Sequence, residues 1–183
     1  MTVTPDLDTR FRAAAVREGI VDVRYDVVDS PIGPLLAAQT DRGLARIFFS
    51  SDGADESLAR AFGARVLRAP LDEVRRELDE YFEGRRTVFD LPLDLRVAPF
   101  HADVLRELAR VPYGRTTTYG TLAATVGRPR AARAVGTVMH TNPIPIVLPC
   151  HRVIGANGSL TGYGGGLHVK RALLELEGAM LPS

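Results

Sequence analysis

The chain has 183 residues, 45% of them hydrophobic, with 23 Lys+Arg against 22 Asp+Glu, one cysteine and four histidines. That length suits one ordinary domain or two small ones sharing a surface, and it is enough to bury a core. One cysteine excludes an internal disulfide and a cysteine-rich zinc site, His101, His140, His151 and His168 lack metal-ligand spacing, and no apolar run is long enough to span a bilayer, so no metal and no membrane are expected.

Residues 1–8 lack the basic start and apolar middle of a signal peptide, which makes the cytoplasm the expected compartment. No element is assigned to residues 1–20. Val21, Val23, Tyr25 and Val27 alternate with Asp22, Arg24 and Asp26, the period of two of a half-buried strand. Residues 30–34 read as a turn, and residues 35–40 and 44–49 flank Asp41-Arg42-Gly43 as a hairpin, predicting an antiparallel sheet. Leu71, Val74, Leu78 and Phe82 fall at helical spacing, with Pro70 suited to the first turn and Gly84 to the stop. This helix is expected to pack on the sheet. No residue of this half assembles into a site.

Residues 85–97 form the natural link to the second half. Residues 1–94 carry 13 basic and 18 acidic side chains, a balance of −5, whereas residues 95–183 carry 10 and 4, a balance of +6. The second half is therefore the candidate face for a polyanion. Val104, Leu105 and Leu108 mark a helix ended by Pro112-Tyr113-Gly114. Thr118 suits the cap of a short helix running to Val126, Gly127-Arg128-Pro129 forces a turn, and residues 130–140 read as a second short helix. Two short helices about such a turn fit a helix-turn-helix, and equally an ordinary helical hairpin. Small Ala131 and Ala132 at the start of the second helix let its backbone approach a groove floor. The predicted class is α+β: a small antiparallel-sheet amino-terminal domain with a helix, residues 1–94, and a mostly helical carboxyl-terminal domain with a helix-turn-helix, residues 95–183.

The single cysteine stands in Pro149-Cys150-His151-Arg152. A thiol attacks as its thiolate, so a nucleophilic cysteine needs a base and a favourable charge, and His151 and Arg152 supply both types of group. A free cysteine without such neighbours is usually a small buried apolar side chain.

From Tyr119 onward the sequence resembles the methylated-DNA–protein-cysteine methyltransferases, the O6-alkylguanine repair proteins. The resemblance rests on five ordered blocks: Tyr119-Gly120-Thr121-Leu122-Ala123, Ala131-Ala132-Arg133-Ala134-Val135-Gly136, Asn142-Pro143-Ile144-Pro145, Pro149-Cys150-His151-Arg152-Val153-Ile154, and Gly162-Tyr163 through Glu177-Gly178. It implies a ribonuclease H-like amino-terminal domain and an alkyltransferase domain. It also implies stoichiometric transfer of the alkyl group of O6-methylguanine, and of O4-methylthymine, to Cys150. In the family pattern His151 is the base, acting through a water molecule, and Glu177 orients its ring. Asn142 braces the turn, and Tyr119 acts on the 3′ phosphate and helps protonate the leaving base. Arg133 fills the space of the extruded nucleotide, and Arg130, Ala131 and Ala132 share its DNA-binding surface. Tyr163, Gly164 and Val153 belong to the base pocket. The implied partner is double-stranded alkylated DNA, bound by a monomer with no obligate protein partner and no cofactor; cooperative assembly along DNA is left open.

Taken without the resemblance, Asn142 suits a helix cap, Tyr119 a core aromatic and Arg133 a solvated position. Glu177 is unusual even so, because a carboxylate at the end of a helix faces the negative end of its dipole. Ala172, where an aromatic is common, Leu176, where His often precedes the Glu, and Thr137 depart from the pattern; Ala172 and Leu176 are expected to be packing positions. Three other readings compete. A non-catalytic alkyltransferase-like lesion binder lacks the acceptor cysteine, a Cys-His hydrolase leaves Arg133 unexplained, and a methylation-responsive regulator needs a further cysteine-bearing domain.

Overall fold

The computed structural model describes residues 18–50 and 65–180, together with residues 10, 14, 58, 60 and 62. Most of the opening segment, residues 1–20, lies outside them. Strands β1 (Val23–Val28), β2 (Leu35–Thr40), β3 (Gly43–Phe48) and β4 (Val66–Arg68) form one sheet in the order β3-β2-β1-β4. The hairpin forms as expected, with Thr40 opposite Gly43 and Ala37 opposite Ile47. The sheet is mixed rather than purely antiparallel, because β4 pairs parallel to β1. A three-residue strand is too short to leave an alternating signature, so β4 is invisible to periodicity.

Both faces of the sheet are covered, which explains why Leu35-Leu36-Ala37-Ala38 runs apolar without alternating. Val23, Leu36, Ala38 and Leu58 make one small core, while Val28, Leu35, Ala37 and Ile47 face the other way into the main one. Asp26 also points to that side. Its carboxylate pairs with Arg75 at 2.8 Å and accepts from the Leu71 N–H at 3.4 Å, which pins the start of helix α1 (Asp72–Phe82) to β1. Pro70 precedes the N-cap residue Leu71 rather than entering the first turn, and Gly84, at φ +71°, follows the helix end. Val74, Leu78 and Tyr81 are the buried stripe of α1, whereas Phe82 is half-buried.

The link between the halves is bonded to the sheet. Leu44 donates its N–H to Pro92 at 2.8 Å and accepts from Asp94 at 2.9 Å, extending the edge of β3. Gly43, at φ +138°, allows this approach, since a Cβ there would lie 2.2 Å from the Pro92 carbonyl oxygen. The strap satisfies an edge that would otherwise be open to pairing.

The second half contains α2 (Pro99–Ala109), β5 (Thr117–Thr118), α3 (Tyr119–Thr125), α4 (Ala132–His140), a single 3-10 turn (Cys150–Arg152), β6 (Val153–Ile154) and α5 (Leu167–Leu176). Thr118 caps α3 by accepting from the Thr121 N–H at 3.1 Å. Helix α4 begins at Ala132, two residues later than expected. The Ala131 N–H closes a turn onto the Arg128 carbonyl at 2.8 Å, leaving Arg130 in the turn. Parallel pairing of Thr117 with Val153 sets the Cys150 turn beside the start of α3. Val28, Leu35, Leu78, Leu105, Val135, Ile144 and Leu173 belong to one continuous core, so the two halves are fused rather than merely tethered. Among the described residues no helix is long and apolar enough to cross a membrane.

Replacing Gly43 with alanine forces the strap off β3. Gly43→Ala is expected to lower stability by about 2–3 kcal/mol, read as a reduced urea midpoint with unchanged slope.

Candidate active site

Cys150 opens the 3-10 turn and is 5% exposed; His151 and Arg152 behind it are equally enclosed. The loop that delivers it is tightly wound. Asn142 donates its side-chain amide to the Leu148 carbonyl at 2.8 Å and accepts from the Ile144 N–H at 3.1 Å, bridging both ends of the loop. Between them Ile146 is fully buried at φ +75°, a conformation costing a β-branched residue about 1–3 kcal/mol that the surrounding core must offset. Asn142 itself does not take the left-handed conformation that suits a helix cap, so bracing is what its contacts do.

Glu177, the residue capping the end of α5, is the centre of the hydrogen bonding. Its Oε1 accepts from the Tyr81 hydroxyl at 2.7 Å, His151 Nε2 at 2.8 Å and Arg152 Nη2 at 2.8 Å. Its Oε2 accepts from Arg152 Nε at 2.8 Å and the Gly114 N–H at 3.3 Å. Burial alone would push this carboxyl up, but the His151 and Arg152 hydrogen bonds and the Arg152 charge outweigh it and hold the group at about 2. A carboxylate only accepts, so Nε2 of His151 carries the proton and Nδ1 is left as the basic nitrogen. That atom is buried and has no hydrogen-bond partner among the described residues. Burial pulls the imidazole below its usual range despite Glu177, which makes His151 a neutral ring at neutral pH.

The Cys150 thiol is pushed up by burial and drawn back by the Asn142 side chain and the charge of Lys170. Arg152 is not the cation that serves the sulfur: it is committed to Glu177 and, through Nη1, to the Val111 carbonyl at 2.6 Å. Lys170, fully buried, takes that place, with Nζ donating to the Val153 carbonyl at 2.6 Å and the Thr161 carbonyl at 3.3 Å. The arrangement is a protonated thiol beside a neutral base, able to form a thiolate when the proton moves to Nδ1.

Cys150 lines a cavity of about 470 Å³, bordered also by Asn142, Tyr163, Gly164 and Gly165 and, from the first half, by Ile47 and Phe49. The Phe49 and Tyr163 rings lie 5.3 Å apart. The Tyr163 hydroxyl is buried beside the sulfur, with no oxygen or nitrogen partner among the described residues. Val153 does not border the cavity: it is fully buried in the core and contributes its carbonyl to Lys170.

Helices α3 and α4 form the helix-turn-helix beside this cavity. Arg130 and Arg133 are exposed, and Ala131 and Ala132 are half-buried at the start of α4. The Tyr119 hydroxyl lies 2.5 Å from Thr161 Oγ1, joining α3 to the loop that carries Tyr163. Its ring packs against Gly136, where a Cβ would sit 3.9 Å away. Among the described residues no cluster of three or more His, Cys, Asp or Glu side chains could hold a metal ion.

Two family models match, in chain order. The ribonuclease-like domain of 6-O-methylguanine DNA methyltransferase covers residues 23–95, and the DNA-binding domain of the same proteins covers residues 99–179. The chain belongs to the O6-methylguanine DNA methyltransferase family. A methylated-DNA–protein-cysteine methyltransferase of Methanosarcina barkeri is 41% identical over 162 residues, covering 84% of this chain and 96% of its own. One from Mycobacterium tuberculosis is 43% identical over 167 residues, covering 88% and 96%. The crystal structure of Mycobacterium tuberculosis O6-methylguanine methyltransferase superposes with a TM-score of 0.77 at 44% identity, over 88% of this chain and 96% of that one. Mycobacterium tuberculosis OGT in complex with DNA gives 0.76 at 43% identity, over 85% and 93%.

In this methyltransferase the structure brings Cys150, His151, Glu177, Asn142 and Tyr163 to one place, and it sets Tyr119 and Arg133 on the adjoining helix pair. The expectation that the first half supplies nothing to the site is overturned by Tyr81 and Phe49. Tyr81 lies three residues after Leu78 and Phe82 four after it, both on the helical stripe, so periodicity alone does not choose between them. Lys170 had a plainer signal, being the only lysine in the chain. Of the departures, Ala172 is exposed rather than packed, and Leu176 is half-buried, its carbonyl accepting from Tyr113 at 3.1 Å. Thr137 is exposed on α4.

Two outcomes are expected. Glu177 ionises more readily folded than unfolded, so its contribution is complete above its ordinary value of 4.5 and is lost as pH falls toward about 2. Glu177→Gln is expected to cost roughly 3 kcal/mol at pH 7 and to flatten stability across that acid window, measured by urea unfolding at a series of pH values. At the cavity rim, a Cβ on Gly165 would sit 3.0 Å from the Phe49 ring, whereas one on Gly164 has 3.9 Å. Gly165→Ala is therefore expected to slow transfer from a bulky benzyl adduct about tenfold, and adding Phe49→Ala to restore it.

Proposed function

We propose that this protein repairs DNA by moving the alkyl group of O6-methylguanine, and of O4-methylthymine, onto Cys150. The observation that carries the reading is the buried Cys150 lining a cavity, next to His151 whose ring is hydrogen-bonded to Glu177. The thiol proton passes to Nδ1 of His151, by the family pattern through a water molecule. A sulfur lone pair forms the S–CH3 bond as the CH3–O6 bond breaks, and the electron pair left on the base takes a proton, yielding guanine and S-methylcysteine. The thioether has no acidic proton and no readily hydrolysed bond. With no second cysteine to receive the group, one molecule repairs one lesion.

The O6 alkyl group is inaccessible in a stacked duplex, so the nucleotide must be swung out, at a cost of a few kcal/mol that is smaller for a damaged pair. By the family pattern Arg133, exposed on α4, occupies the vacated space, with Arg130 holding phosphate and the small Ala131 and Ala132 permitting close approach of the helix. Tyr119 belongs to the same surface, where the family pattern sets it against the 3′ phosphate. The +6 balance of residues 95–183 suits a sequence-independent grip on double-stranded DNA. The protein acts as a monomer, residues 1–94 forming its amino-terminal domain and residues 95–183 the alkyltransferase domain. A free thiol that must stay reduced until used suits the cytoplasm.

Incubation with a duplex containing O6-methylguanine is expected to add one methyl group to the Cys150 peptide, seen by mass spectrometry. Cys150→Ala is expected to abolish transfer while retaining DNA binding. Arg133→Ala is expected to slow transfer from duplex by about tenfold or more, and far less from free O6-benzylguanine, which needs no extrusion.

A further inference from the structure

We propose that Tyr81, from the ribonuclease-like half, is a positioning residue for the thiol chemistry: its hydroxyl, hydrogen-bonded to Glu177, sets the basicity of His151. The inference rests on the reading of Cys150, His151 and Glu177 given above. Tyr81 is fully buried, and its hydroxyl reaches across the domain boundary to the same Oε1 that receives His151 Nε2–H. With Arg152 Nη2 as the third donor, one oxygen serves three hydrogen bonds. Each added donor draws charge from that oxygen and weakens its pull on the imidazole proton. The Tyr81 hydroxyl therefore keeps the His151 ring neutral to lower pH, ready to accept the thiol proton.

The ring of Tyr81 is held independently of its hydroxyl. Phe82 and Phe89 lie 5.3 Å from it and Tyr113 lies 6.1 Å away, in tilted or edge-on contacts. Tyr81→Phe thus removes one oxygen and keeps the packing. The other groups acting on the pair are known by position. Glu177 is met by Arg152 and the Gly114 N–H, with Tyr113 nearby and bonded to the Leu176 carbonyl, and His151 faces the charges of Arg152 and Lys170, with the Tyr163 ring 6.4 Å from its own. None of them depends on Tyr81 for its own hydrogen bonds.

The test compares wild type, Tyr81→Phe, Glu177→Gln and protein carrying 3-fluorotyrosine at position 81. It measures the rate of transfer from O6-benzylguanine over about pH 5–9 and the titration of His151 by NMR of nitrogen-labelled histidine. Loss of the hydroxyl is expected to move the His151 midpoint and the acid limb of the rate upward by about half to one pH unit, slowing transfer near pH 6 roughly fivefold while the alkaline plateau stays within about twofold of wild type. The fluorinated ring, a stronger donor with the same shape, is expected to move the midpoint downward. An unmoved midpoint in Tyr81→Phe, or a uniform loss of rate at every pH, overturns the inference, as does a midpoint in the fluorinated protein that rises or stays still. Unimpaired transfer by Glu177→Gln removes the underlying relay itself. Impaired Glu177→Gln beside an unmoved Tyr81→Phe removes only the role of Tyr81.

Discussion

A single buried carboxylate organises this molecule. Burying an ionised group costs several kcal/mol unless every lone pair is met, and Glu177 meets that condition with donors from separate parts of the chain. Tyr81 comes from α1, Gly114 from the turn before β5, and His151 and Arg152 from the 3-10 turn. Withdrawing any of these segments would expose an incompletely bonded charge. The same requirement accounts for Gly114, where a Cβ would lie 2.8 Å from the Glu177 carbonyl oxygen. It also accounts for a carboxylate at the wrong end of a helix dipole, because the donors gathered there outweigh an effect that falls off within a turn.

The electrostatics that follow suit a nucleophile used once. An exposed thiolate would react with any electrophile and be consumed without repairing anything. Here the sulfur is enclosed, burial favours its protonated form, and the neighbouring base is neutral. Cys150 is therefore quiet at rest, and its reactivity is confined to what the cavity admits. The proton has somewhere to go only along the Nδ1 side of His151, because Nε2 is committed to Glu177. Selectivity then comes from access and geometry rather than from a permanently activated sulfur.

What could be read from the sequence divides along physical lines. Local signals were legible: the hairpin, the Thr118 cap, the helix of residues 72–82 and the Cys150-His151-Arg152 block all depend on neighbours within a few positions. Features set by distant contacts were not. Strand β4 is defined by its partner, and Asp26 is buried against expectation because Arg75, 49 residues away, pairs with it. Pro129 alone does not reveal the turn closed by Ala131, which moves the start of α4 two residues on from Arg130. Adjacency suggests Arg152 as the cation for the sulfur, yet its guanidinium is committed to Glu177. Tyr81 was hidden by the plausible choice of Phe82 for the inward face of α1.

Lys170 shows how a composition can carry a site that no motif advertises. The chain has no other lysine, and Arg65 and Arg152 meet their carboxylates, Asp22 and Glu177, in forked contact. Position 170 asks for something a guanidinium cannot give. Its ammonium must fit wholly inside the protein, donate to the carbonyls of Val153 and Thr161, and leave a compact positive charge near sulfur. A planar fork with five N–H groups would need more acceptors than this space supplies, whereas an ammonium is a point charge with three rotatable donors. Those two carbonyls belong to β6 and to the approach to the Tyr163 loop. The same side chain that places positive charge near the sulfur thus also ties β6 to the approach to the Tyr163 loop, joining the charge environment of Cys150 to the position of that loop.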